Sequence, residues 1–390
     1  MQSIAKLSEF AGHLRRLIRS TSNAETEWTD KSFGELASTL FELQCELNDP
    51  YQTLCLAGRK AGNLRPQDWK EIPAVPTSAF KDLELSCLSA NQRTTVFHSS
   101  GTTKHRPSRH FHNAESLLVY EESLLASFGT CLQIDELIPI ICLTPAQGLA
   151  PHSSLVHMFE TLRRKFGSDR SVFLGHIGDD GGWTLNVEAA VQALRRGLET
   201  GEPILILGTA FSYVYLLDYL TSRDLSIKLP AGSFVMETGG YKGRSRAVPK
   251  PELHQLICER LGISETNIIC EYGMSELSSQ AYDQVPNQFR SSRRKEAHSP
   301  SSRKDQSLVT SAATRVFHFP PWARVQIISP ETGREVHDGE TGLIRVFDLA
   351  NVFSVMAVQT EDLGIRRSDG FELVGRASLA EARGCSLMAV

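Results

Sequence analysis

From residue 93 onward, short apolar segments alternate with segments of helical periodicity, and this alternation limits the folds available to the chain. The apolar segments read LIPIICLTP, PILILGTA, GSFVMETGG and TNIICEYG, and helical patterns such as 153–166 and 251–261 lie between them. Strands that are apolar throughout are covered on both faces, which is typical of parallel or mixed sheets layered with helices. In open α/β sheets ligands gather where such strands end. Polar clusters follow the predicted strands at Ser99, Gly208, Gly239 and Tyr272. We therefore predict an α/β fold with its ligand site at this edge.

The pattern differs on either side of this region. The first hundred residues are mainly helical, with apolar residues at helical spacing over 4–18 and again over 33–47, behind Ser32 as the predicted cap. After Ala323, shorter alternating segments predict a β-rich subdomain. The chain is accordingly divided into a helical region (1–92), an α/β core (93–285), a Ser-rich basic insertion predicted to be a mobile loop (286–314), a β-rich subdomain (315–360) and a short hairpin with a tail (361–390).

Bulk properties exclude several classes of protein. The formal net charge is −4 and the pI is near 6.3, so the whole chain offers no argument for nucleic acid as a partner. The longest apolar runs are too short to cross a membrane, and the first twenty residues lack the apolar region of a signal peptide. Eight scattered cysteines without a C-x-x-C pair indicate neither a zinc site nor a disulfide framework. These features predict a cytoplasmic protein.

The segment FHSSGTTKHRPSRH, residues 97–110, has the composition of a phosphate-binding loop. Closely spaced backbone N–H groups, hydroxyls and basic side chains suit a polyphosphate. The candidate phosphate-binding residues are Ser99, Ser100, Gly101, Thr102, Thr103 and Arg109. The spacing is not that of the P-loop, G-x-x-x-x-G-K-[ST]. A polar connection built from Ser and Thr turns is the alternative.

Two further polar motifs lie downstream. In EYGMSE, Glu276 offers oxygen ligands for Mg²⁺, and the ring of Tyr272 suits a purine. In TEDLG, Asp362 lies in a predicted glycine-terminated turn, where a carboxylate can accept two hydrogen bonds from a ribose diol. Arg376 follows across one predicted hairpin. The alternatives are a solvated or helix-capping acid for Glu276 and a core aromatic for Tyr272. For Asp362 and Arg376 the alternative is an ordinary surface charge.

Taken together, these ordered motifs resemble those of the adenylate-forming superfamily, and more closely its LuxE-type acyl-protein synthetase branch. The resemblance covers roughly residues 70–390. The segments that carry it are SSGTT, PSRH, PHSSLVHM, LGTAF, TGGYKGR, EYGMSELSSQAYD, PPWAR and RGCSL.

The resemblance implies ATP-dependent activation of a long-chain fatty acid as acyl-AMP, followed by transfer to a cysteine thiol of the protein itself. Cys385 in RGCSL matches the acyl-accepting position. By motif position, Gly239, Gly240 and Tyr272 would frame the adenine, and Gly273 would be a further cofactor-binding residue. Asp362 would bind the ribose and Arg376 the ribose or a phosphate. Glu276 would hold Mg²⁺, with Arg109 on the phosphates. Acyl reductase and acyltransferase subunits are the partners that the resemblance implies.

The sequence departs from the family pattern at three places, one of which is the segment 286–314, whose composition is unlike that of a compact catalytic loop. Lys104 replaces the glycine that usually follows the two threonines, and only twenty-eight residues follow Asp362, which predicts a truncated C-terminal lid. Two alternative functions stay open. One is an adenylating ligase that passes an aryl or other acyl group to CoA or a carrier protein, and the other is a catalytically silent nucleotide-binding scaffold. The histidines around the loop (His98, His105, His110 and His112) are expected to be hydrogen-bonding or surface residues.

Overall fold

A computed structural model describes residues 2–22, 26–57, 66–99, 106–132, 136–241, 245–283 and 315–377. The N-terminal part is helical, as predicted, and comprises α1 (Gln2–Ser22), α2 (Asp30–Leu47) and α3 (Asp49–Ala57). The predicted cap of α2 is wrong by three positions. Thr29 is the N-cap, because its Oγ1 accepts a hydrogen bond from the Ser32 N–H at 3.1 Å. Ser32 is the third helical residue and completes a capping box with Thr29.

The α/β region contains a six-stranded sheet. Its strands, in spatial order, are β11 (Ala281–Tyr282), β10 (Ile268–Tyr272), β9 (Phe234–Thr238), β8 (Leu205–Thr209), β4 (Ile140–Cys142) and β5 (Val172–Phe173). All neighbouring strands are parallel except the edge pair of β10 and β11. The strand ends therefore meet at one edge, as predicted from the apolar segments.

Helices cover both faces of this sheet. They are α5 (Ala114–Cys131), α6 (Ser154–Phe166), α7 (Val187–Thr200), α8 (Ala210–Ser222) and α9 (Lys250–Leu261). Successive strand residues point to opposite faces. Met236 and Ile269 pack with residues of α5 and α6, whereas Val235 and Ile268 pack with residues of α7, α8 and α9. Burial on both faces explains why these strands are apolar throughout.

A second sheet carries the β-rich part. It consists of β1 (Val75–Pro76), β14 (Ala357–Arg367), β13 (Thr341–Asp348) and β12 (Ala323–Ile328) in that order, with β15 (Gly370–Arg376) paired to β14. The N-terminal helices share its apolar core, in which the rings of Trp69 and Phe347 meet edge to face at 5.0 Å. Buried Gln44 on α2 donates to the carbonyls of Asn351 and Val352 at 2.7 and 3.0 Å.

The remaining elements are short. They are α4 (Ala79–Asp82), the 3-10 helices Trp69–Glu71, Ala90–Gln92 and Glu265–Asn267, and two hairpins, β2 (Thr95–His98) with β3 (Arg109–His112) and β6 (Gly175–Ile177) with β7 (Trp183–Leu185). None of the described helices combines the length and the apolarity that a bilayer crossing needs.

Candidate active site

The base of the predicted phosphate loop is a closed hairpin end. Beyond the last pair of β2 and β3, the Ser99 N–H donates to the Ser108 carbonyl at 3.3 Å, and the Ser108 N–H donates to Ser99 Oγ at 3.0 Å. Both strands are thus held together up to the point where the loop leaves the sheet. Of the predicted loop residues, Ser99 lies at this base, while Ser100, Gly101, Thr102 and Thr103 lie outside the described residues.

Glu276 is bound to this base. Ser108 Oγ donates to its Oε1 at 2.5 Å and Ser275 Oγ donates to its Oε2 at 2.9 Å. The carboxyl group is buried, with 5% of the residue exposed. A buried carboxylate is stabilised by such hydroxyl donors. Carboxylate and hydroxyl oxygens are also the ligand types that Mg²⁺ prefers. The predicted metal ligand therefore lies beside the base of the predicted phosphate loop.

His110 fixes the turn that carries Glu276. Its Nδ1 lies 2.7 Å from the Ser275 carbonyl, and burial lowers the pKa of His110 to about 4. The ring is neutral at pH 7 and carries one proton. Because a carbonyl oxygen only accepts, that proton is on Nδ1, which donates to Ser275. His112 is likewise buried, and its Nδ1 contacts Ser116 Oγ at 3.1 Å. Both histidines are hydrogen-bonded core residues, and His105 lies outside the described residues.

Arg109 is engaged by an acidic side chain. Its Nη1 lies 3.2 Å from Glu84 Oε1, and its guanidinium lies over the Phe111 ring at 5.6 Å. Glu84 also binds Arg93 at 2.5 Å, and the Arg93 hydrogen bond is the main reason that the pKa of Glu84 is lowered. Two arginines share the Glu84 carboxylate here. Binding of phosphate by Arg109 stays a prediction.

The predicted adenine and ribose residues meet at one place. Tyr272 donates its hydroxyl proton to Asp362 Oδ2 at 3.0 Å, and Arg376 Nε lies 3.5 Å from Asp362 Oδ1. Asp362 and Arg376 are direct partners of β14 and β15, so the predicted hairpin is confirmed. The predicted turn at Asp362 is wrong, because the residue lies within β14. Burial raises the pKa of Asp362, and the Tyr272 and Arg376 contacts oppose that shift.

The ring of Tyr272 is packed in the apolar core. It packs edge to face against Phe371 at 5.3 Å and lies near Phe317 and Phe319 at 6.2 and 6.3 Å. Only 6% of the residue is exposed. These rings fix the direction of the hydroxyl group, so that Asp362 is held at the end of β10.

Two glycine positions border the ends of β9 and β10. Gly239 has a φ of +69°, and a Cβ atom placed on Gly239 or Gly240 would meet no atom of the described residues within 4 Å. Space of this kind beside a glycine turn suits the close approach of a ligand. Gly273 is different, because a Cβ there would lie 2.2 Å from Glu271 Oε1. The glycine leaves room for the buried Glu271 side chain.

Glu271 joins the two strand ends. Its Oε2 accepts a hydrogen bond from Thr238 Oγ1, and burial raises the pKa of Glu271 to about 7. Thr238 and Glu271 are partners in the pairing of β9 with β10. The carboxyl group therefore connects the Gly239 turn to the Tyr272 turn.

Comparison with known proteins completes this picture. A family model described as acyl-protein synthetase, LuxE, matches residues 29–299. The chain belongs to the LuxE family. The predicted family and the predicted ligase class are therefore confirmed.

One relative and two solved structures are similar to this LuxE chain. The long-chain-fatty-acid–luciferin-component ligase of Aliivibrio fischeri is 23% identical over 382 residues, which are 93% of this chain and 89% of the relative. A 2-hydroxyisobutyryl-CoA ligase in the postadenylation state, bound to 2-HIB-AMP, matches with a TM-score of 0.59 at 12% identity, covering 90% of this chain and 69% of its own. This likeness confirms the predicted adenylate-forming fold. The LuxE chain spans 49% of ATP-bound MatB from Rhodopseudomonas palustris, at a TM-score of 0.47 and 15% identity.

Several site residues of this LuxE protein were not predicted. Ser108 lies in the quoted PSRH segment, but nothing in its spacing indicates a bond to Glu276. The turn after Glu276 is held by buried Asp348, whose Oδ2 accepts from the Ser278 and Ser279 N–H groups at 2.9 and 2.8 Å. Asn351 Nδ2 donates to the Glu276 carbonyl at 2.8 Å. An Asp or Asn in a β-rich segment carries no sequence signal for such a role.

Cys385, predicted to accept the acyl group, lies outside the described residues, as do Lys104 and the insertion 286–314. The described cysteines are buried or half-buried. Burial raises the pKa of the thiols of Cys87, Cys131, Cys142, Cys258 and Cys270. A thiol with a raised pKa is a poor nucleophile at neutral pH, which makes these five cysteines weak candidates for an acyl acceptor.

Proposed function

We propose that this protein activates a long-chain fatty acid with ATP and then carries the acyl group on Cys385 as a thioester. A carboxylate oxygen of the acid attacks the α-phosphorus, pyrophosphate leaves, and acyl-AMP forms. The Cys385 thiolate then attacks the acyl carbonyl carbon, the carbon–oxygen bond to AMP breaks, and AMP leaves. A partner reductase would use the resulting thioester.

The observation that carries the first step is the position of two groups on one short segment. Residues 272–276 present the Tyr272 hydroxyl to Asp362 at one end and the Glu276 carboxylate to the loop base at the other. A nucleotide needs such a site, with a polar group for the sugar on one side and a cation and phosphate site on the other. Conversion of an acid to its adenylate depends mainly on positioning and on charge neutralisation.

The ribose side follows from the geometry of Asp362. Each carboxylate oxygen has two lone pairs, and Tyr272 and Arg376 occupy one position on each. The remaining lone pairs can accept from the two hydroxyls of a ribose. The neighbouring open turn at Gly239 and Gly240 would admit the adenine.

The phosphate side would combine Glu276, Arg109 and the loop that begins at Ser99. Glu276 offers oxygen lone pairs to Mg²⁺ beside the Ser108 and Ser275 hydroxyls. A bound Mg²⁺ would neutralise charge on the phosphates. The fatty acid, the reductase and acyltransferase partners and the cytoplasmic location are carried over from the family and stay predictions.

Acid-dependent ATP–pyrophosphate exchange tests the proposal. The assay is run with fatty and aryl acids on wild type, Cys385→Ser and Cys258→Ser, the last being a half-buried control. Exchange with long-chain acids in all three proteins, with a stable acyl-protein in wild type and Cys258→Ser only, is the expected result.

Other outcomes would replace the proposal. Exchange with aryl acids alone, or a stable acyl-protein in Cys385→Ser, would favour a ligase with another substrate or acceptor. ATP binding without exchange for any acid would leave a nucleotide-binding scaffold.

A further inference from the structure

A buried cluster of polar side chains lies behind the Gly239 turn. Glu237 and Cys270 are direct partners of the parallel strands β9 and β10, so their side chains point to the same face of the sheet. Helix α9 covers that face with His254 and, one turn earlier, Lys250. We call Glu237, His254 and Cys270 the three-ligand cluster.

The donor atoms of this cluster have the spacing of a metal site. His254 Nε2 lies 3.5 Å from Glu237 Oε1 and 3.7 Å from Cys270 Sγ, and all three atoms lie within 4.8 Å of one another. Tetrahedral zinc, with Zn–N and Zn–O bonds of about 2.0 Å and Zn–S bonds of about 2.3 Å, needs ligand separations of roughly 3.3–3.5 Å. Small rotations of the three side chains would bring the observed separations of the donor atoms to these values.

The burial of the cluster and the types of its donor atoms both suit a zinc ion. The three residues are between 0% and 3% exposed. Glu237 Oε1 accepts no hydrogen bond of good geometry within the described residues, although the Lys250 ammonium lies 2.9 Å away. A thiolate, an imidazole and a carboxylate together select zinc over the hard cations Mg²⁺ and Ca²⁺.

The charges around the cluster are already balanced. Arg315 approaches Cys270 Sγ at 4.0 Å, but its Nη1 is paired with buried Asp283 at 2.8 Å. Within the cluster, the Lys250 ammonium compensates the Glu237 carboxylate, and a buried thiol without a metal is protonated. The Lys250 side chain is 42% exposed, so it can move to solvent.

We propose that Glu237, His254 and Cys270 bind a zinc ion that displaces Lys250 from the cluster. When Zn²⁺ enters, the Cys270 thiol proton leaves to solvent and the Lys250 ammonium moves out. The cluster then holds two anionic ligands and one divalent cation, so its net charge stays zero. Water supplies the fourth ligand. The spacing of cysteines in the sequence gives no sign of this site, because its ligands come from two strands and a helix.

A metal ion in the three-ligand cluster would affect ligand binding at the candidate active site, because the cluster lies directly behind two of its turns. Glu237 and Cys270 each precede a turn of the candidate active site, at Gly239 and Tyr272. A metal bound to both strands would fix the separation of these turns. The inference does not depend on which acid, if any, the protein activates.

Zinc titration of chelator-treated, metal-free protein tests the proposal, with a chromophoric chelator as competitor and Co²⁺ as a spectroscopic probe. Wild type is expected to bind one Zn²⁺ per chain, and Co²⁺ is expected to give a thiolate charge-transfer band. Cys270→Ser and His254→Gln should each weaken binding by at least about a hundredfold, since even partners of metal ligands contribute 10- to 100-fold. Lys250→Met should tighten binding about tenfold, because it removes the competing cation.

A matched control is Cys142→Ser, which alters a buried cysteine of β4 in the same sheet and should leave zinc affinity unchanged. Near-ultraviolet circular dichroism of each metal-free variant checks that it is folded. Absence of stoichiometric zinc in wild type, unchanged affinity in folded Cys270→Ser, or weaker binding in Lys250→Met would each overturn the proposal.

Discussion

Ser108 Oγ donates a 2.5 Å hydrogen bond to Glu276, a residue 168 positions further along the chain. The bond connects the base of the β2–β3 hairpin to the turn after β10. It is buried, and it joins the predicted phosphate loop to the predicted metal ligand. Together with the 2.7 Å contact between His110 Nδ1 and the Ser275 carbonyl, this bond fixes the relative position of the hairpin base and the turn.

Ser108→Ala tests this connection. The variant leaves a buried carboxylate oxygen with one donor fewer, so we expect the free energy of unfolding to fall by about 1–3 kcal/mol. Urea denaturation measures the change. Ser78→Ala is the control, since Ser78 is exposed and its side chain makes no cap hydrogen bond. Equal stability of the two variants would contradict a structural role for the Ser108 bond.

Arg109→Gln tests whether this arginine binds phosphate in addition to Glu84. We expect its KM for ATP to rise by about ten- to a hundredfold, which corresponds to the loss of one charge-assisted hydrogen bond. Arg93→Gln is matched, because Arg93 binds the same Glu84 carboxylate. A similarly small rise of the KM for ATP in both variants would show that Arg109 only pairs with Glu84 and does not bind phosphate.

Glu271 predicts a dependence of stability on pH. Burial raises its pKa to about 7 in the folded protein from 4.5, so the folded state binds more protons than the unfolded state between these values. The free energy of unfolding should therefore fall, by roughly 3 kcal/mol, as the pH rises from 4.5 to 7. Urea denaturation across this range measures the slope.

Glu271→Gln isolates that contribution. The amide keeps an acceptor for Thr238 and does not ionise, so the variant should lose this part of the slope and exceed wild type in stability at pH 7. The exposed Glu331→Gln should retain the slope of wild type. If Glu271→Gln retained it too, the titrating group would lie elsewhere.

Gly273→Ala tests the space that Glu271 occupies. The new Cβ would lie 2.2 Å from Glu271 Oε1, so we expect the free energy of unfolding to fall by about 1–3 kcal/mol. Gly129→Ala, in helix α5 with no atom within 4 Å of the added Cβ, should instead gain about 0.5–1 kcal/mol. Thermal unfolding compares the two. A loss of the same size at both positions would refute the steric argument.

The strands of the sheet were predicted well, because a strand that is buried on both faces consists almost entirely of apolar residues. The apolar runs at 140–142, 205–207 and 268–270 all became strands of one sheet. The prediction of the helix start was less accurate, because two hydroxyl residues near it were both suitable as the N-cap. Thr29 rather than Ser32 caps α2, and both hydroxyls lie within the same capping box.

The site was predicted in part. Motif order pointed to Tyr272, Asp362 and Glu276, and the structure places each beside a polar partner, while their roles stay predictions. Motif order could not identify Ser108 or Asp348, because the partners of these residues depend on how separate sheets pack against each other. The three-ligand cluster was hidden for the same reason, since strand register alone places Cys270 opposite Glu237.

The bond from Gln44 to the Asn351 carbonyl bears on how the protein is made. The two residues are 307 positions apart, and the apolar faces of the first helices are buried against strands from the far end of the chain. Synthesis at about 5–20 residues per second separates the two by roughly 15–60 s. During that interval the nascent helices lack the strand residues that cover their apolar faces in the folded protein, so we expect α1 and α2 to reach their final packing only after strands β12 to β14 have been made.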